Sequence, residues 1–158
     1  MKSPFKTSSG SGSFASQLFD ENTFYHKFRQ DLLQSKEEVI IESPYITSGR
    51  MKGFRTVFEK ILKKGVKIYI FTRDPKEHEQ PMAFQSEAEI DNFERIGIQT
   101  FICSGNHHRK LAIIDREILW EGSLNILSQA YSREVMRRIE NQELAVEMFE
   151  FLKLGRFI

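Results

Sequence analysis

The sequence predicts an α/β protein with a mixed, mostly parallel β-sheet that is flanked by helices on both faces. Short β-branched runs such as "EVIIESPYI" alternate with segments of helical periodicity through the first two thirds of the chain. Strands that are separated by helices usually pair in parallel. Farther along, two apolar runs are joined by a very short turn, which predicts an antiparallel hairpin and makes the sheet mixed. The 14 Phe residues and a hydrophobic content of 40% supply the core that such a sheet needs.

The first half of the chain is predicted to form helix, strand, helix and strand. Phe24, Phe28 and Leu32 recur at the spacing of one helical face, so a helix is expected from Asp20 to about Gln34. The segments that follow are a strand over 38–46, a helix over 50–64, a strand over 66–72 and a polar loop with two prolines over 73–85.

The second half is predicted to contain the third helix, the hairpin and two closing elements. Ser86 is expected to cap the third helix, which ends at Gly97. Asn141 is expected to cap the last helix, which extends to about Lys153 with Phe151 directed inward. The remaining elements are strands over 98–103, 110–115, 117–122 and 134–139, and a short helix from about residue 124.

Length and composition fit one domain. We expect a flexible Ser/Gly-rich lead over 1–16 and a single domain over 17–158. The sequence contains no run of about 18 apolar residues, so no membrane-spanning helix is predicted. Its first residues also lack the apolar stretch of a signal peptide, and no membrane partner is expected. The single cysteine, Cys103, favours a reducing, cytoplasmic setting. The net charge of +1 does not mark the whole chain as a nucleic-acid binder.

The segment "GNHHRKLAIIDREILWEGSLNIL" holds most of the polar side chains that are capable of catalysis. His108, Lys110 and Asp115 form the pattern H-x-K-x4-D, and Ser123 and Asn125 belong to a G-S-x-N run. Alternation along a strand places His108 and Lys110 on one face, and the hairpin returns the G-S-x-N run to their side. Lysine and asparagine donors suit phosphate oxygens, and a neutral histidine is a nucleophile near pH 7. The cluster therefore predicts phosphoryl transfer by direct attack of histidine on phosphorus.

This combination of motifs resembles the signature of the phospholipase D superfamily, from about residue 20 onward. "VIIESPYIT" is similar to the first core strand of that family, and the tail "SREVMRRIENQELA" is similar to nuclease-like modules. The resemblance implies a phospholipase D-like catalytic domain over 17–158. It is strongest to small bacterial nucleases with one motif per chain and to modules attached to helicases and restriction systems. Whether the chain is a domain of a larger protein, with a helicase or restriction partner, stays open.

The resemblance also implies a role for each signature residue. His108 would form a covalent phosphohistidine, and Lys110 and Asn125 would hold the non-bridging phosphate oxygens. Ser123 would support the site through hydrogen bonds. Asp115, the remaining signature residue, is expected to help structurally rather than touch the substrate.

Three further residues are candidates for the site. A glutamate downstream of G-S-x-N orients the nucleophilic histidine in this family, and Glu134 at the start of a strand is the expected residue. Glu140, at the other end of the same strand, is the alternative. Tyr45 and Arg109 are expected to line the substrate cleft. No metal and no cofactor are expected, and His78 is assigned no role.

The single H-x-K motif implies a homodimer. One histidine serves poorly both as the nucleophile and as the acid for the leaving oxygen, and the family uses two motifs per site. Two copies of His108 are therefore expected to face each other across a twofold axis. The implied activity is a metal-independent endonuclease on DNA, with RNA left open. The alternatives are a phospholipase D-type lipid phosphodiesterase and a nucleic-acid-binding module of a larger helicase or restriction protein.

Overall fold

The protein is described by a computed structural model that covers residues 15–128 and 131–158. The strands are β1 (Ala15–Asp20), β2 (Glu38–Glu42), β3 (Lys67–Arg73), β4 (Gln99–Cys103), β5 (Leu111–Ile114), β6 (Ile118–Gly122) and β7 (Val135–Glu140). The helices are α1 (Phe24–Gln34), α2 (Ser48–Lys63), α3 (Gln80–Ile96) and α4 (Gln142–Phe151). Short 3₁₀ turns cover Pro75–Glu77 and Leu154–Arg156.

All seven strands of the described residues form one mixed sheet in the order β1-β7-β6-β5-β2-β3-β4. The prediction of a mixed sheet is confirmed, but the prediction that it is mostly parallel is wrong. Only β2–β3 and β3–β4 are parallel, and the other four pairings are antiparallel. The reason is that only α2 and α3 act as crossovers between neighbouring strands. The chain leaves β4 through a loop without a helix and returns as β5 on the other side of β2.

Helices cover both faces of the sheet, as the sequence predicted. Side chains such as Ile41 and Trp120 point to one face and belong to the same apolar cluster as residues of α1, α2 and α3. Ile40 and Leu119, their neighbours along the strands, point to the other face and pack with Phe149 of α4. The alternation of side chains along each strand therefore produces two apolar layers, one on each side of the sheet.

The folded part of the chain begins earlier than the sequence predicted. β1 starts at Ala15, two residues before the predicted boundary, and Ala15 pairs with Glu140 of β7. The rest of the predicted flexible lead, residues 1–14, lies outside the described residues. β1 is an edge strand whose side chains are mostly exposed, so it lacks the apolar run that marks a buried strand.

Two helix boundaries also differ from the prediction. The polar loop predicted over 73–85 is short, because α3 already begins at Gln80. Pro81 is tolerated there, since the first turn of a helix does not need its missing N–H. Ser86 is consequently not a cap but lies buried within α3.

The short helix expected from about residue 124 is not observed over 124–128, which form turns. The cap of the last helix is confirmed, because the Asn141 side chain accepts a hydrogen bond from the Leu144 N–H at 2.9 Å. Over the described residues, no helix combines the length and apolar character that a bilayer crossing requires.

Candidate functional site

Five of the residues predicted for the site lie at the same end of the neighbouring strands β5, β6 and β7. They are His108, Lys110, Ser123, Asn125 and Glu134. The first two precede β5, the next two follow β6, and the last precedes β7. Because β5, β6 and β7 pair antiparallel with one another, the start of β5, the end of β6 and the start of β7 meet. The topology therefore brings together residues that are up to 26 positions apart in the sequence.

His108 and Lys110 are in direct contact. The Lys110 Nζ lies 3.0 Å from His108 Nδ1 and 3.4 Å from Nε2, and it donates a hydrogen bond to the His108 carbonyl at 2.8 Å. His108 is exposed, whereas Lys110 is partly buried. Burial lowers the pKa of Lys110, and the nearby Glu134 carboxylate opposes that shift. An exposed imidazole with an ammonium beside it can reach an incoming phosphate together with its neighbour.

Glu134 is a carboxylate that serine hydroxyls keep charged. The Ser123 hydroxyl, and after it the Ser132 hydroxyl at 2.5 Å, hold the pKa of Glu134 below its usual range. Ser123 also accepts a hydrogen bond from the Val135 N–H at 3.0 Å, and its hydroxyl is 3.4 Å from the Val135 carbonyl. Ser123 thus joins the end of β6 to the start of β7 and lies beside the carboxylate.

The alternative carboxylate, Glu140, lies at the opposite end of β7. It pairs in register with Ala15 and Ile118 and forms an ion pair with Arg138 at 3.0 Å. Glu134 is instead close enough to Lys110 to change its pKa. The geometry therefore favours Glu134 over Glu140 as the carboxylate of the site.

Asn125 is held by a residue that the sequence did not single out. The Tyr25 hydroxyl donates to the Asn125 carbonyl at 3.4 Å and to the Ser128 carbonyl at 3.2 Å. Burial raises the pKa of Tyr25 to about 12, with Arg50 lowering it and Glu134 raising it. The hydroxyl therefore keeps its proton and remains a donor. The Asn125 Oδ1 is buried and has no hydrogen-bond partner among the described residues.

Tyr45, which is predicted to line the substrate cleft, lies beside His108. The two rings meet edge to face, with centroids 6.4 Å apart, and the centroid of the His78 ring is 5.0 Å from that of Tyr45. Burial lowers the pKa of His78, and the Arg73 charge adds to this effect. His78 is thus a second histidine near the site. Its position in a polar segment gave no sign of this in the sequence.

Arg109, which is predicted to line the substrate cleft, is bonded to a buried carboxylate. Its Nε and Nη2 donate to the two oxygens of Glu42 at 2.7 and 3.0 Å. Glu42 is fully buried, and the His107 ring lies 3.8 Å from the same carboxylate. The guanidinium pairs with this buried carboxylate, while 49% of the Arg109 side chain stays exposed.

Asp115 lies at the far end of β5 from the other signature residues. Its carboxylate accepts three backbone N–H bonds, from Lys36 at 2.9 Å, Glu37 at 2.8 Å and Glu38 at 3.0 Å. Asp115 therefore ties the β5–β6 turn to the start of β2. This is a structural contact, remote from the place where His108 lies.

The approach to His108 is fixed by Glu77. Its carboxylate accepts the N–H groups of Gly105 at 2.7 Å and Asn106 at 3.1 Å, and these bonds, led by Gly105, lower its pKa. Arg73 donates to the Asn106 side chain at 2.8 Å. The loop between β4 and β5 is thus attached to the 3₁₀ turn, which sets the direction from which the chain enters the site.

A groove with a volume of 760 Å³ runs from Lys110 and Gly122 toward α4. Exposed apolar side chains border it: Leu18 is 62%, Val135 52% and Phe151 80% exposed. The prediction that Phe151 points inward is wrong, because Ala145 and Phe149 are the residues that α4 buries. The candidate site therefore continues into an apolar surface.

One protein-family model matches most of the chain. The family described as "Cardiolipin synthase, PLD-like domain" matches residues 28–153, which include the whole signature. A comparison with curated proteins found no match.

Several solved structures share the fold. Nuc from Salmonella typhimurium, described as a phospholipase D family member, has a TM-score of 0.73 and 17% identity, and the match covers 89% of this chain and 93% of that one. NucT from Helicobacter pylori has a TM-score of 0.67 and 18% identity, with 89% and 94% coverage. Phosphatidylserine synthase from Haemophilus influenzae has a TM-score of 0.61 and 14% identity, with 87% and 38% coverage. The family match, the fold and the strand ends at which the signature residues meet agree, and the chain belongs to the phospholipase D superfamily.

Proposed function

We propose that this protein is a metal-independent phosphodiesterase that cleaves DNA through a covalent phosphohistidine intermediate. The observation that supports the proposal is the convergence of His108, Lys110, Ser123, Asn125 and Glu134 at one end of β5, β6 and β7. A nucleophile, a cation, an amide and a charged carboxylate are the groups that direct attack on phosphorus requires.

The proposed reaction has two steps. In the first, an imidazole nitrogen of His108 attacks phosphorus, the bond to the leaving oxygen breaks, and that oxygen takes a proton from a second histidine. In the second, water gives its proton to that histidine and attacks the phosphohistidine, which releases the phosphate product and regenerates His108. Lys110 and Asn125 stabilise the negative charge on the non-bridging oxygens, and Glu134 orients His108.

The proposed second histidine is His108 of the partner subunit. The chain has one H-x-K motif, so a homodimer supplies the second copy. Exposed apolar side chains lie next to Lys110 on the rim of the groove, and a second copy is the occupant that we propose for them. Such docking would bring two copies of the site toward one another.

DNA is the proposed substrate because the chain resembles the compact members of the superfamily. Nuc and NucT match it over almost their full lengths, whereas it spans 38% of the phosphatidylserine synthase. A lipid phosphodiester remains the second candidate, since the same groups could act on a head group.

The deciding experiment is cleavage of plasmid and single-stranded DNA in EDTA by the wild type and by His108→Ala. We expect the wild type to cut and His108→Ala to lose at least about 1,000-fold in rate, because the nucleophile is removed. The matched control is His26→Ala, since His26 is an exposed histidine of α1 that bonds to Gln30. It should cut like the wild type.

Two results would contradict the proposal. Cutting that stops in EDTA and returns with Mg²⁺ would contradict the metal-independent mechanism. A wild type that leaves DNA intact but releases choline from phosphatidylcholine vesicles would replace the nuclease with the lipid phosphodiesterase.

A further inference from the structure

Arg50 belongs to the first turn of α2, at a junction with the turn that contains Asn125. The Thr47 N–H, immediately before α2, donates to the Leu127 carbonyl at 3.0 Å. The Ser43 hydroxyl, at the end of β2, accepts the Leu127 N–H at 3.1 Å. These bonds fix the start of α2 against the 124–128 turn, which contains Asn125, and Arg50 therefore has a defined position beside the site.

The Arg50 side chain is stacked on a ring that contacts the site. Its guanidinium carbon lies 3.5 Å from the centre of the Tyr25 ring, and the Tyr25 hydroxyl donates to the Asn125 carbonyl. Tyr25 is close enough to both Arg50 and Glu134 for each charge to affect its pKa. One permanent cation therefore lies on the Asn125 side of the site, while Lys110 lies on the His108 side.

Arg50 differs from the neighbouring arginines because it forms no ion pair with a carboxylate of the described residues. Arg55 pairs with Glu89 at 3.6 Å and Arg109 pairs with Glu42, but none of the ion pairs in the described ranges includes Arg50. Its Nε is buried and has no hydrogen-bond partner among the same residues. A guanidinium that is oriented by an aromatic face, and is not paired with a carboxylate, can pair with an anionic ligand instead.

We infer that Arg50 binds a phosphate next to the scissile one and so makes the site selective for polynucleotides. The inference rests on the proposed function and adds to it a residue that determines the substrate class. A nucleic acid presents a regular row of phosphates, whereas a phosphodiester such as bis(4-nitrophenyl) phosphate or phosphatidylcholine has a single one. Lys110 and Asn125 serve the scissile phosphate, and only a substrate with a second phosphate engages Arg50.

The test compares two substrates and two variants in EDTA. The substrates are bis(4-nitrophenyl) phosphate and a 12-nucleotide oligo(dT). Arg50→Gln should lose about 10-fold in kcat/KM on the oligonucleotide and keep wild-type kcat/KM on the small diester. The slope of log(kcat/KM) against log salt for the oligonucleotide should become less steep by about 0.7, the value for one lost phosphate contact on a single strand.

Arg55→Gln is the matched control, because it removes the same charge from the same helix where the side chain is half exposed. It should leave both substrates unchanged. The inference is overturned if Arg50→Gln is like the wild type on both substrates, if it loses equally on both, or if Arg55→Gln loses as much on the oligonucleotide. A wild type that turns over the small diester but not the oligonucleotide would overturn the nuclease proposal itself, and the role of Arg50 with it.

Discussion

At the scale of single residues, the site is built around a carboxylate that stays charged. Glu134 is only partly exposed, and the Ser123 and Ser132 hydroxyls lower its pKa, so it keeps its charge as the pH falls below the usual range of a glutamate. The charge matters because an ionised carboxylate accepts a stronger hydrogen bond from an imidazole than a protonated one does. Ser123 therefore acts through Glu134 as well as through its bonds to Val135.

A pair of isosteric substitutions separates the two glutamates. Glu134→Gln removes the charge beside Lys110, and we expect kcat for DNA cleavage to fall by about 10²- to 10⁴-fold, as for other carboxylates that orient a catalytic histidine. Glu140→Gln removes one partner of a half-exposed ion pair at the other end of β7, so kcat should stay within about twofold. The measurement is kcat at saturating DNA for both variants. A large loss in Glu140→Gln with a normal Glu134→Gln would reverse the assignment.

The signature residues stand out in the sequence, but the residues that contact them do not. His108, Lys110, Ser123 and Asn125 have a spacing in the sequence that a hairpin converts into proximity. Tyr25 has no such signal, because its contact with the Asn125 carbonyl joins residues that are 100 positions apart. A hydrogen bond across that separation depends on how α1 packs, and periodicity alone does not reveal it.

At the scale of secondary structure, Asp115 organises the hairpin that carries the signature. Asp115 and Arg116 both have a φ of 52°, which is the conformation of the two-residue turns that suit the twist of a hairpin. The Asp115 carboxylate also accepts three N–H groups at the start of β2. It therefore fixes β5 against its two neighbours from the end opposite to the candidate site.

Substitution of Asp115 should lower stability rather than affect chemistry. Asp115→Asn preserves the shape and tolerates the positive φ, but it loses the charge-assisted hydrogen bonds, so we expect the free energy of unfolding to fall by about 2 kcal/mol. The kcat of the folded fraction should stay close to that of the wild type. Urea denaturation measures the first quantity and cleavage at low temperature the second. Asp91→Asn, at an exposed position of α3, is the control. A loss of kcat without a loss of stability would give Asp115 a part in catalysis.

Element types were more predictable than their pairing. The apolar periodicity of Phe24, Phe28 and Leu32 predicted α1, and Asn141 predicted the start of α4. The edge strand β1 was missed because exposed strands have no apolar run. The direction of β5 relative to β2 was missed as well, because no local pattern records on which side of a strand the chain returns. The sequence also did not predict which polar side chains are buried within apolar faces. Asp31 of α1 is an example, because it is buried and accepts hydrogen bonds from Trp120 and Arg138.

At the scale of the whole molecule, the two faces of the sheet are covered unequally. Three helices pack on one face, whereas α4 and the 3₁₀ turn after it pack on the other. The thinner cover leaves Leu18, Val135 and Phe151 exposed on the rim of the groove beside Lys110. An apolar rim next to a site with a single H-x-K motif fits the proposed homodimer, since docking of a second copy would cover the rim and supply the proposed acid.

A charge placed on this rim should separate the subunits. Phe151 is 80% exposed, so Phe151→Glu should leave the stability of each subunit within about 0.5 kcal/mol while it places a carboxylate in an apolar interface. We expect sedimentation velocity to give a dimer for the wild type and a monomer for Phe151→Glu. DNA cleavage per subunit should fall by at least about 100-fold, because the leaving oxygen then lacks its acid.

The matched control is Phe84→Glu, at a position that is 65% exposed on α3 and therefore on the opposite face of the sheet. It should remain a dimer and stay active, because its charge lies away from the proposed interface. Activity of Phe151→Glu should also recover as protein concentration rises, since mass action repopulates the dimer. A wild type that is fully active as a monomer would remove the need for a second His108. An inactive Phe151→Glu that is still a dimer would mean that the rim serves the substrate directly.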